Sequence, residues 1–226
     1  MHQLVWSQRG VASVRIGEST WFLPRALALW VPAGLVHATG AVDPSWNRSP
    51  YFLPERCPIH WPEPTVVGVT PLLAALFDHL ADFGLASDER ARAEAVVFDL
   101  LEPLEAVAIP LPLPVDARAA AVAAAIVADP ADARTLTEWG RAVGASARTL
   151  RRVFLAETGL SFGRWRTHAR LRAAMPVLAT GHPVAAAARR AGYGSASAFV
   201  AAFHRTVGVP PGTYFGGGTE NPARRG

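Results

Sequence analysis

Three arginines in one nine-residue segment are the side chains best suited to chemistry in this chain. The segment, SARTLRRVF at residues 146–154, also carries three apolar side chains. On a helix that advances by 100° per residue, Arg148, Arg151 and Arg152 lie opposite the apolar set. No acidic residue stands four positions from any of the three arginines, so ion pairs along the helix cannot neutralise them. An unneutralised positive face predicts a polyanionic ligand.

DNA is the polyanion that these residue types suit best. Arginine reads guanine through a bidentate contact to O6 and N7 in the major groove. A serine cap such as Ser146 aims the positive end of a helix at a phosphate. The candidate contacts are Ser146, Ala147, Arg148, Thr149, Arg151 and Arg152. Arg152 lies at the edge of the face and is expected to touch phosphate only. The alternative is a charged helix face that is merely solvated.

An internal repeat must position this segment. TLTEWGRAVGASARTLRRVFLAETG and PVAAAARRAGYGSASAFVAAFHRTVG share one plan: a helix, a tight turn at Gly144 or Gly192, and a second helix. This plan is typical of a helix-turn-helix, which places its second helix in the major groove while flanking groups hold phosphates. A long arginine-bearing helix is expected to join the two units, and its Arg164 and Arg166 are further candidate contacts.

The second unit carries fewer charges than the first. Its core is predicted at Phe199, Val200, Phe203 and Val207. Its outward contacts are predicted at Ser195, Ser197, Ala198, Ala201 and Arg205. Alanine cannot donate a hydrogen bond, and it can only meet a thymine methyl or let the backbone approach. We therefore expect weaker base discrimination from this unit than from the first.

Charge divides the 226-residue chain into an acidic and a basic half. Residues 1–115 hold 7 arginines and 12 acidic side chains, whereas residues 116–226 hold 15 arginines and 6 acidic side chains. This asymmetry indicates that the second half binds an anion. The single Cys57 excludes an internal disulfide and a cysteine metal site. The sequence shows no secretory signal and no apolar run of membrane length, which predicts a cytoplasmic protein that does not enter a membrane.

The first half is predicted to be β structure followed by helices. QLVW, VASVRI, TWFL and LALWV are short apolar runs separated by glycine or proline, as in a small β-barrel or sandwich. Residues 40–64 are rich in proline and are expected to be loop, with room for one further strand. Helices are predicted at 71–83 and at 87–101, the second capped by Ser87.

The proline-spaced segment 109–116 marks the predicted domain boundary. It separates a predicted first domain at 1–108 from a predicted DNA-binding domain at 117–226. The predicted fold class is α+β: a small β-barrel followed by helices, then an all-α domain with two helix-turn-helix units. The helix at 71–83 presents an apolar stripe, which packs either on the barrel or on a second subunit, and we expect a homodimer. The stripe consists of Leu72, Ala75, Leu76, His79, Leu80 and Phe83.

Residues 135–215 resemble the DNA-binding domain of the AraC/XylS family of bacterial transcription regulators. The resemblance rests on LTEWGRAVGASARTLRRVFLAETGLSFGRWRTHARL and on GYGSASAFVAAFHRTVGVPPGTY. It implies that helices near 147–156 and 196–206 enter successive major grooves on one face of the DNA. Pro176 departs from this pattern. Because proline removes a backbone N–H, it is expected to kink the joining helix or end it early.

The first half resembles the cupin-type sensor domain of one branch of that family, through QLVWSQRGVASVRI, WFLPRALALWVPAGLVHAT and LPLPVDAR. VPAGLVH resembles the second cupin motif, in which His37 takes the place of a metal ligand. The histidines and glutamate of the first motif and the barrel's first strand are expected to be missing. One histidine does not make a metal site, so we expect no metal and no cofactor. Trp21, Trp30 and His37 are either the pocket of an apolar effector or plain barrel core.

These observations favour a sequence-specific transcriptional regulator, not an enzyme, that is controlled by a small-molecule effector. Its expected partners are duplex DNA, the effector, a second copy of the chain and, for an activator, RNA polymerase. One alternative is a cupin-type enzyme with a helical appendage, although the first half shows no catalytic cluster. Another is a helical protein whose basic face meets an acidic protein, but two matched units suit a periodic ligand such as duplex DNA better.

Overall fold

The fold combines strands and helices, and the α+β prediction is confirmed. A computed structural model describes residues 1–42, 46–104 and 108–215 of the chain. These residues form two compact units. The first unit comprises the described residues within Met1–Ile16, Trp21–Ala106 and Gly212–Gly226, and the second those within Gly17–Thr20 and Val107–Pro211.

Short strands build most of the first unit. They are β1 (His2–Val5), β2 (Ser7–Arg9), β3 (Val11–Ile16), β4 (Ser19–Pro24), β5 (Leu27–Val31), β6 (Ala38–Ala41), β7 (Trp46–Asn47), β8 (Tyr51–Phe52) and β9 (Thr65–Gly68). One sheet has the order β8-β1-β5-β9, a second pairs β2 with β7, and a third has the order β4-β3-β6. The four predicted strands correspond to β1, β3, β4 and β5. The proline-rich segment is more ordered than predicted, because both β7 and β8 lie within it.

Helices α1 (Pro71–Leu80) and α2 (Ser87–Leu100) follow these strands. The side chain of Thr70 caps α1 by accepting a hydrogen bond from the Leu73 N–H at 3.2 Å. The prediction that Ser87 caps α2 is wrong, because Ala86 holds the cap position and Ser87 is already helical. Both helices also end earlier than predicted.

The core of the first unit is aromatic. Trp6, Trp30, Phe52 and Phe77 are almost fully buried there. Trp6 meets Phe77 edge to face with ring centroids 5.3 Å apart, and Trp30 stacks on Phe52 at 5.8 Å. Aromatic pairs at these separations add to the free energy gained by burial alone.

The predicted apolar stripe of α1 is not its core face. The helix instead buries Leu73, Ala74, Phe77 and Leu80, so Leu80 is the one stripe residue that is buried. Leu72 is 56% exposed, and Phe83, beyond the end of α1, is fully exposed. Packing of the whole stripe on the chain's own strands is therefore excluded.

The second unit is mainly helical, and it also contains Gly17–Thr20 and a non-helical segment that leads to its first helix. Its helices are α3 (Ala117–Ala128), α4 (Leu136–Ala142), α5 (Ala147–Thr158), α6 (Phe162–Ala179), α7 (Val184–Arg190) and α8 (Ala196–Val207), and a short α9 (Pro211–Phe215) begins at its end. None of the helices in the described ranges has both the length and the apolarity needed to cross a bilayer.

Two features of the second unit differ from expectation. Pro176 does not end the joining helix early, because α6 continues to Ala179. A proline this near the C-terminal end of a helix removes only one of the last helical hydrogen bonds. The segment 109–116 packs on the helices. The Trp165 indole N–H donates to the Pro112 carbonyl at 2.7 Å, and Val115 N–H donates to the Glu157 carboxylate at 2.7 Å.

Candidate nucleic-acid interface

The first helix-turn-helix consists of α4, a four-residue turn and α5. Thr135 and Glu138 form a reciprocal capping box that starts α4. Gly144 turns the chain with φ at +67°, a left-handed conformation that favours glycine. The Ala145 N–H then donates to the Gly140 carbonyl at 2.8 Å. A Cβ at Gly140 would overlap the Ala145 carbonyl oxygen, so this close turn requires glycine at position 140.

Helix α5 separates its two faces as the sequence predicts. Leu150 and Phe154 are fully buried, and Phe154 meets Trp165 edge to face at 5.3 Å. Ser146 caps the helix by accepting from the Thr149 N–H at 3.0 Å. The three arginines at 148, 151 and 152 are exposed, and within the described part of the chain none of them forms a salt bridge.

The second helix-turn-helix consists of α7, a five-residue turn and α8. Gly192 turns the chain with φ at +71°. The Tyr193 N–H donates to the Ala188 carbonyl at 2.9 Å, which repeats the bond between Ala145 and Gly140 in the first unit. Ser195 caps α8 through the Ala198 N–H at 3.2 Å. The turn is one residue longer than in the first unit, because Gly194 precedes the cap.

Helix α8 has the expected core with one adjustment. Phe199, Phe203 and Val207 are buried as predicted, whereas Val200 is only half-buried and Ala202 takes its place in the core. The predicted contacts Ser195, Ser197, Ala198, Ala201 and Arg205 are all exposed. Helices α5 and α8 are both 12 residues long, and both end at a left-handed glycine, Gly159 or Gly208. The two units therefore present matched helices.

The arginines of α6 divide into exposed and structural ones. Arg164 is exposed and forms no salt bridge with the described residues. Arg166 is half-buried and donates to the Arg134 carbonyl at 2.9 Å, so its guanidinium is directed toward the loop before α4. Arg170 donates to the Pro130 carbonyl at 2.9 Å. Of the two predicted contacts on this helix, Arg164 alone has its charge facing outward.

The acidic side chains of the second unit are occupied by backbone N–H groups. In the described part of residues 116–215, each of the five carboxylates accepts at least one such bond: Asp116, Asp129, Asp132, Glu138 and Glu157. Bonds from Arg118 and from the cap N–H groups lower the pKa of Asp116 to about 2. Because these carboxylates are held at caps and turns, they leave the exposed arginines of α5 unneutralised.

Comparisons with known proteins support this geometry. Residues 139–216 match the family model described as a helix-turn-helix domain. The chain is 26% identical over 225 residues to the HTH-type transcriptional regulator NimR of Escherichia coli K12, which covers 94% of this chain and 78% of that protein. It is 40% identical over 89 residues to the HTH-type transcriptional regulator RipA of Corynebacterium glutamicum, which covers 39% of this chain and 27% of that protein.

A solved structure is similar to the same region. The DNA-binding domain of AdpA, solved in complex with a target DNA, is 27% identical, and the match covers 48% of this chain and 96% of that chain with a TM-score of 0.42. The family match and the alignment with NimR along most of the chain identify the protein class. Residues 139–216 form a helix-turn-helix domain, and the chain is a DNA-binding transcriptional regulator that resembles those of the AraC type. The predicted resemblance and the DNA-binding function are confirmed.

The candidate effector residues of this regulator do not surround one cavity. His37 is held between the Leu35 carbonyl oxygen at 3.0 Å and the Gln3 side-chain oxygen at 2.8 Å. Neighbouring residues in a strand project to opposite faces. Since Leu4, not Gln3, pairs with Trp30, His37 and Trp30 lie on opposite faces of the sheet.

The remaining candidates in the first unit of the regulator stand apart as well. Trp21 lies in β4 and is half-buried. Among the described residues, no three His, Cys, Asp or Glu side chains come together as a metal site would require. Trp30 is fully buried, and its indole N–H has no acceptor among the described residues.

Sequence reasoning missed two residues that line a cleft of the second unit, His168 and Thr167. His168 is buried in α6, and its Nδ1 lies 2.8 Å from the Pro110 carbonyl. Thr167, beside it, donates to the Gly163 carbonyl at 3.0 Å. A helical wheel of α6 places His168 opposite Arg166, but its partner Pro110 lies 58 residues away in sequence, whereas Thr167 is bonded within its own helix.

Proposed function

We propose that this regulator binds operator DNA with α5 and α8 in successive major grooves on one face of the duplex. One observation carries the proposal: α5 exposes three unpaired guanidinium groups while the nearby carboxylates are held by backbone N–H groups. A surface of this kind gains most of its binding free energy by neutralising phosphates and displacing their counterions. The protein then acts in the cytoplasm and needs no cofactor or catalytic step.

In this proposal α5 carries most of the base discrimination. Arg148 and Arg151 make bidentate contacts to guanine, Arg152 contacts phosphate, and the half-buried Ala147 and Thr149 flank these arginines at the two edges of the face. Ser146 keeps its cap bond, so its helix end meets phosphate through N–H groups. Arg164 contacts the backbone between the two grooves. Arg166 contributes by holding the loop before α4, since its guanidinium is bonded there.

Helix α8 contributes shape more than hydrogen bonds. Ala198 and Ala201 let the helix backbone approach thymine methyl groups, whereas Ser195, Ser197 and Arg205 contact phosphate or base edges.

A fluorescence anisotropy titration of the full chain tests the proposal. It compares DNA from upstream of the protein's own gene with a scrambled duplex. We expect tighter binding to the upstream DNA, with a strong dependence on salt. Equal, weak binding to both duplexes would contradict it.

We further propose that residues 1–108 form a sensor domain joined by 109–116 to the DNA-binding domain at 117–226. The buried Trp30 indole N–H supports an effector, because a buried donor without an acceptor is costly and a bound molecule would supply the acceptor. An apolar small molecule with one carbonyl or hydroxyl oxygen would suit the surroundings of Trp30, whereas Trp21 lies in another sheet. His37 lies on the other face of the sheet and would not contact the effector directly.

We also propose a homodimer formed through α1. Leu72 and Phe83 expose large apolar side chains, and Ala75 and His79 on the same side of the helix are exposed too. A second copy of the chain would cover this face and would present two DNA-binding domains to repeated half-sites. If the protein activates transcription, RNA polymerase is the additional partner.

A further inference from the structure

A cleft inside the second unit combines an apolar wall with two arginines that form no salt bridge among the described residues. It has a volume of about 480 Å³ and lies between the first half of α6, the end of α8 and the segment before α3. Arg164 and Arg205 stand at its border, and Leu160, Ala202 and Pro110 form the apolar part. Ligand pockets of this size and mixed character hold small organic molecules.

His168 gives the cleft a hydrogen-bond acceptor. The side chain is only 7% exposed. Its Nδ1 faces the Pro110 carbonyl, which can only accept, so Nδ1 carries the proton. Burial, aided by the charge of Arg164, lowers the pKa of His168 and keeps the ring neutral. Nε2 is then left with a lone pair.

No described residue uses that lone pair. Among the buried side-chain nitrogen and oxygen atoms of the described residues, only the indole nitrogens of Trp30 and Trp139 lack both a partner and solvent. Nε2 of His168 has no hydrogen-bond partner within the described chain, so it must be reached by solvent. Since His168 lines the cleft, the cleft is where a ligand hydroxyl can meet it.

We infer that this cleft is a binding site for a small organic anion that carries an apolar body and a hydroxyl group. The guanidinium groups of Arg164 and Arg205 would hold its carboxylate. The apolar wall would cover its body, and Nε2 of His168 would accept its hydroxyl hydrogen. A bare phosphate, whether free or on DNA, would leave the apolar wall uncovered.

The inference goes beyond DNA binding and adds a means of control. Arg164 and Arg205 belong to the proposed DNA-contacting set, so a bound anion neutralises charges that would otherwise attract phosphate. Occupation of the cleft therefore weakens operator binding. Because the ligand touches both α6 and α8, it also ties the second helix-turn-helix unit to the joining helix.

Calorimetry on the full chain tests the site with 6-hydroxyhexanoate, its neutral amide and inorganic phosphate as probes. The carboxylate is expected to bind about tenfold or more tightly than the amide, as befits a charge-assisted contact. Arg205→Gln should remove that preference, whereas Arg190→Gln, an exposed arginine outside the cleft, should keep it. Nitrogen NMR should show the Nε2 signal of His168 shift with the carboxylate.

A larger side chain at position 163 would block the cleft. A Cβ at this position meets no heavy atom within 4 Å, so Gly163→Leu fills the space, while Gly163→Ala leaves most of it open. The leucine variant should lose the carboxylate and the alanine variant should keep it, with unchanged melting curves as the control. If the leucine variant fails to fold, the affinities of Arg205→Gln and the His168 signal still test the site.

Three results would overturn the inference: equal affinity for carboxylate and amide, unchanged binding in the folded Gly163→Leu variant, or an unmoved His168 signal. A cleft that serves a DNA phosphate instead would bind no carboxylate, and Gly163→Leu would weaken operator binding about tenfold; that outcome overturns it too. Operator binding without any probe is measured first, so failure of this site is separable from failure of the DNA interface.

Discussion

At the scale of single residues, the regulator separates exposed arginines, which we propose bind DNA, from arginines that hold the fold. Arg166 and Arg170 donate to backbone carbonyls, and Arg134 packs over the Trp139 ring with its guanidinium carbon 3.5 Å from the ring centroid. The exposed arginines of α5 have no such role. The same residue type therefore has two roles that the sequence does not distinguish.

Removal of a base-reading arginine should weaken specific binding without unfolding the chain. Arg148→Ala and Arg151→Ala are each expected to cost about 1–3 kcal/mol in operator binding, because a bidentate base contact is lost. Both side chains are exposed, so the free energy of unfolding should change by no more than about 0.5 kcal/mol. Anisotropy and thermal melting measure the two effects. Arg92→Ala on α2 is the control with the same loss of charge, and unchanged operator affinity in both variants would remove α5 from the interface.

Phe154 should behave in the opposite way. Phe154→Ala leaves a cavity against Phe162 and Trp165 and is expected to destabilise the second unit by about 3–5 kcal/mol. Leu155→Ala, next to it on the exposed face, is the matched control and should cost little. Denaturant unfolding followed by tryptophan fluorescence measures both. A Phe154→Ala variant as stable as wild type would mean that α5 does not pack on this face.

At the scale of elements, the two helix-turn-helix units depend on close turns. Gly140→Ala forces a Cβ into the Ala145 carbonyl oxygen, so the turn between α4 and α5 must open, at a cost of about 1–3 kcal/mol. Gly163→Ala, where the new Cβ meets nothing, is the control. Melting curves for both variants, with operator affinity alongside, provide the measurement. Equal stability of the two alanine variants would show that the turn tolerates a side chain.

The elements of the second unit were the ones most predictable from sequence. Caps at Ser146 and Ser195, left-handed glycines and apolar positions at helical spacing are local signals, and they placed α5 and α8 within a residue or two. Helix α1 was harder, because Leu72, Leu73, Ala74, Ala75 and Leu76 give two neighbouring apolar columns of helical spacing. The packing of the strands beneath then selects which column is buried.

Contacts between residues far apart in sequence were not predictable. The bond from Arg166 to the Arg134 carbonyl and the placement of His168 against Pro110 link positions more than thirty residues apart. No local period encodes them. For the same reason Trp30 and His37 looked like neighbours in one pocket, although strand pairing sets them on opposite faces of a sheet.

At the scale of the whole molecule, the proposed dimer makes a direct prediction. Light scattering of the full chain at micromolar concentration should give twice the mass of one chain, and Leu72→Glu should give the monomer, because a charge in an apolar interface is costly. Val36→Glu, at another exposed apolar side chain of the first unit, is the matched control and should stay dimeric. A wild-type chain that remains monomeric both free and on DNA would exclude the dimer.

The two matched helices make the central claim testable in one measurement, methylation interference on operator DNA bound by the full chain. Because methylation at guanine N7 blocks major-groove contacts, two clusters of interfering guanines should appear about 10 base pairs apart, one helical turn, on one face of the duplex. Arg151→Ala should abolish interference in one cluster and leave the other. A single cluster, clusters on opposite faces, or loss of both clusters in that variant would contradict the account of two helices in successive grooves.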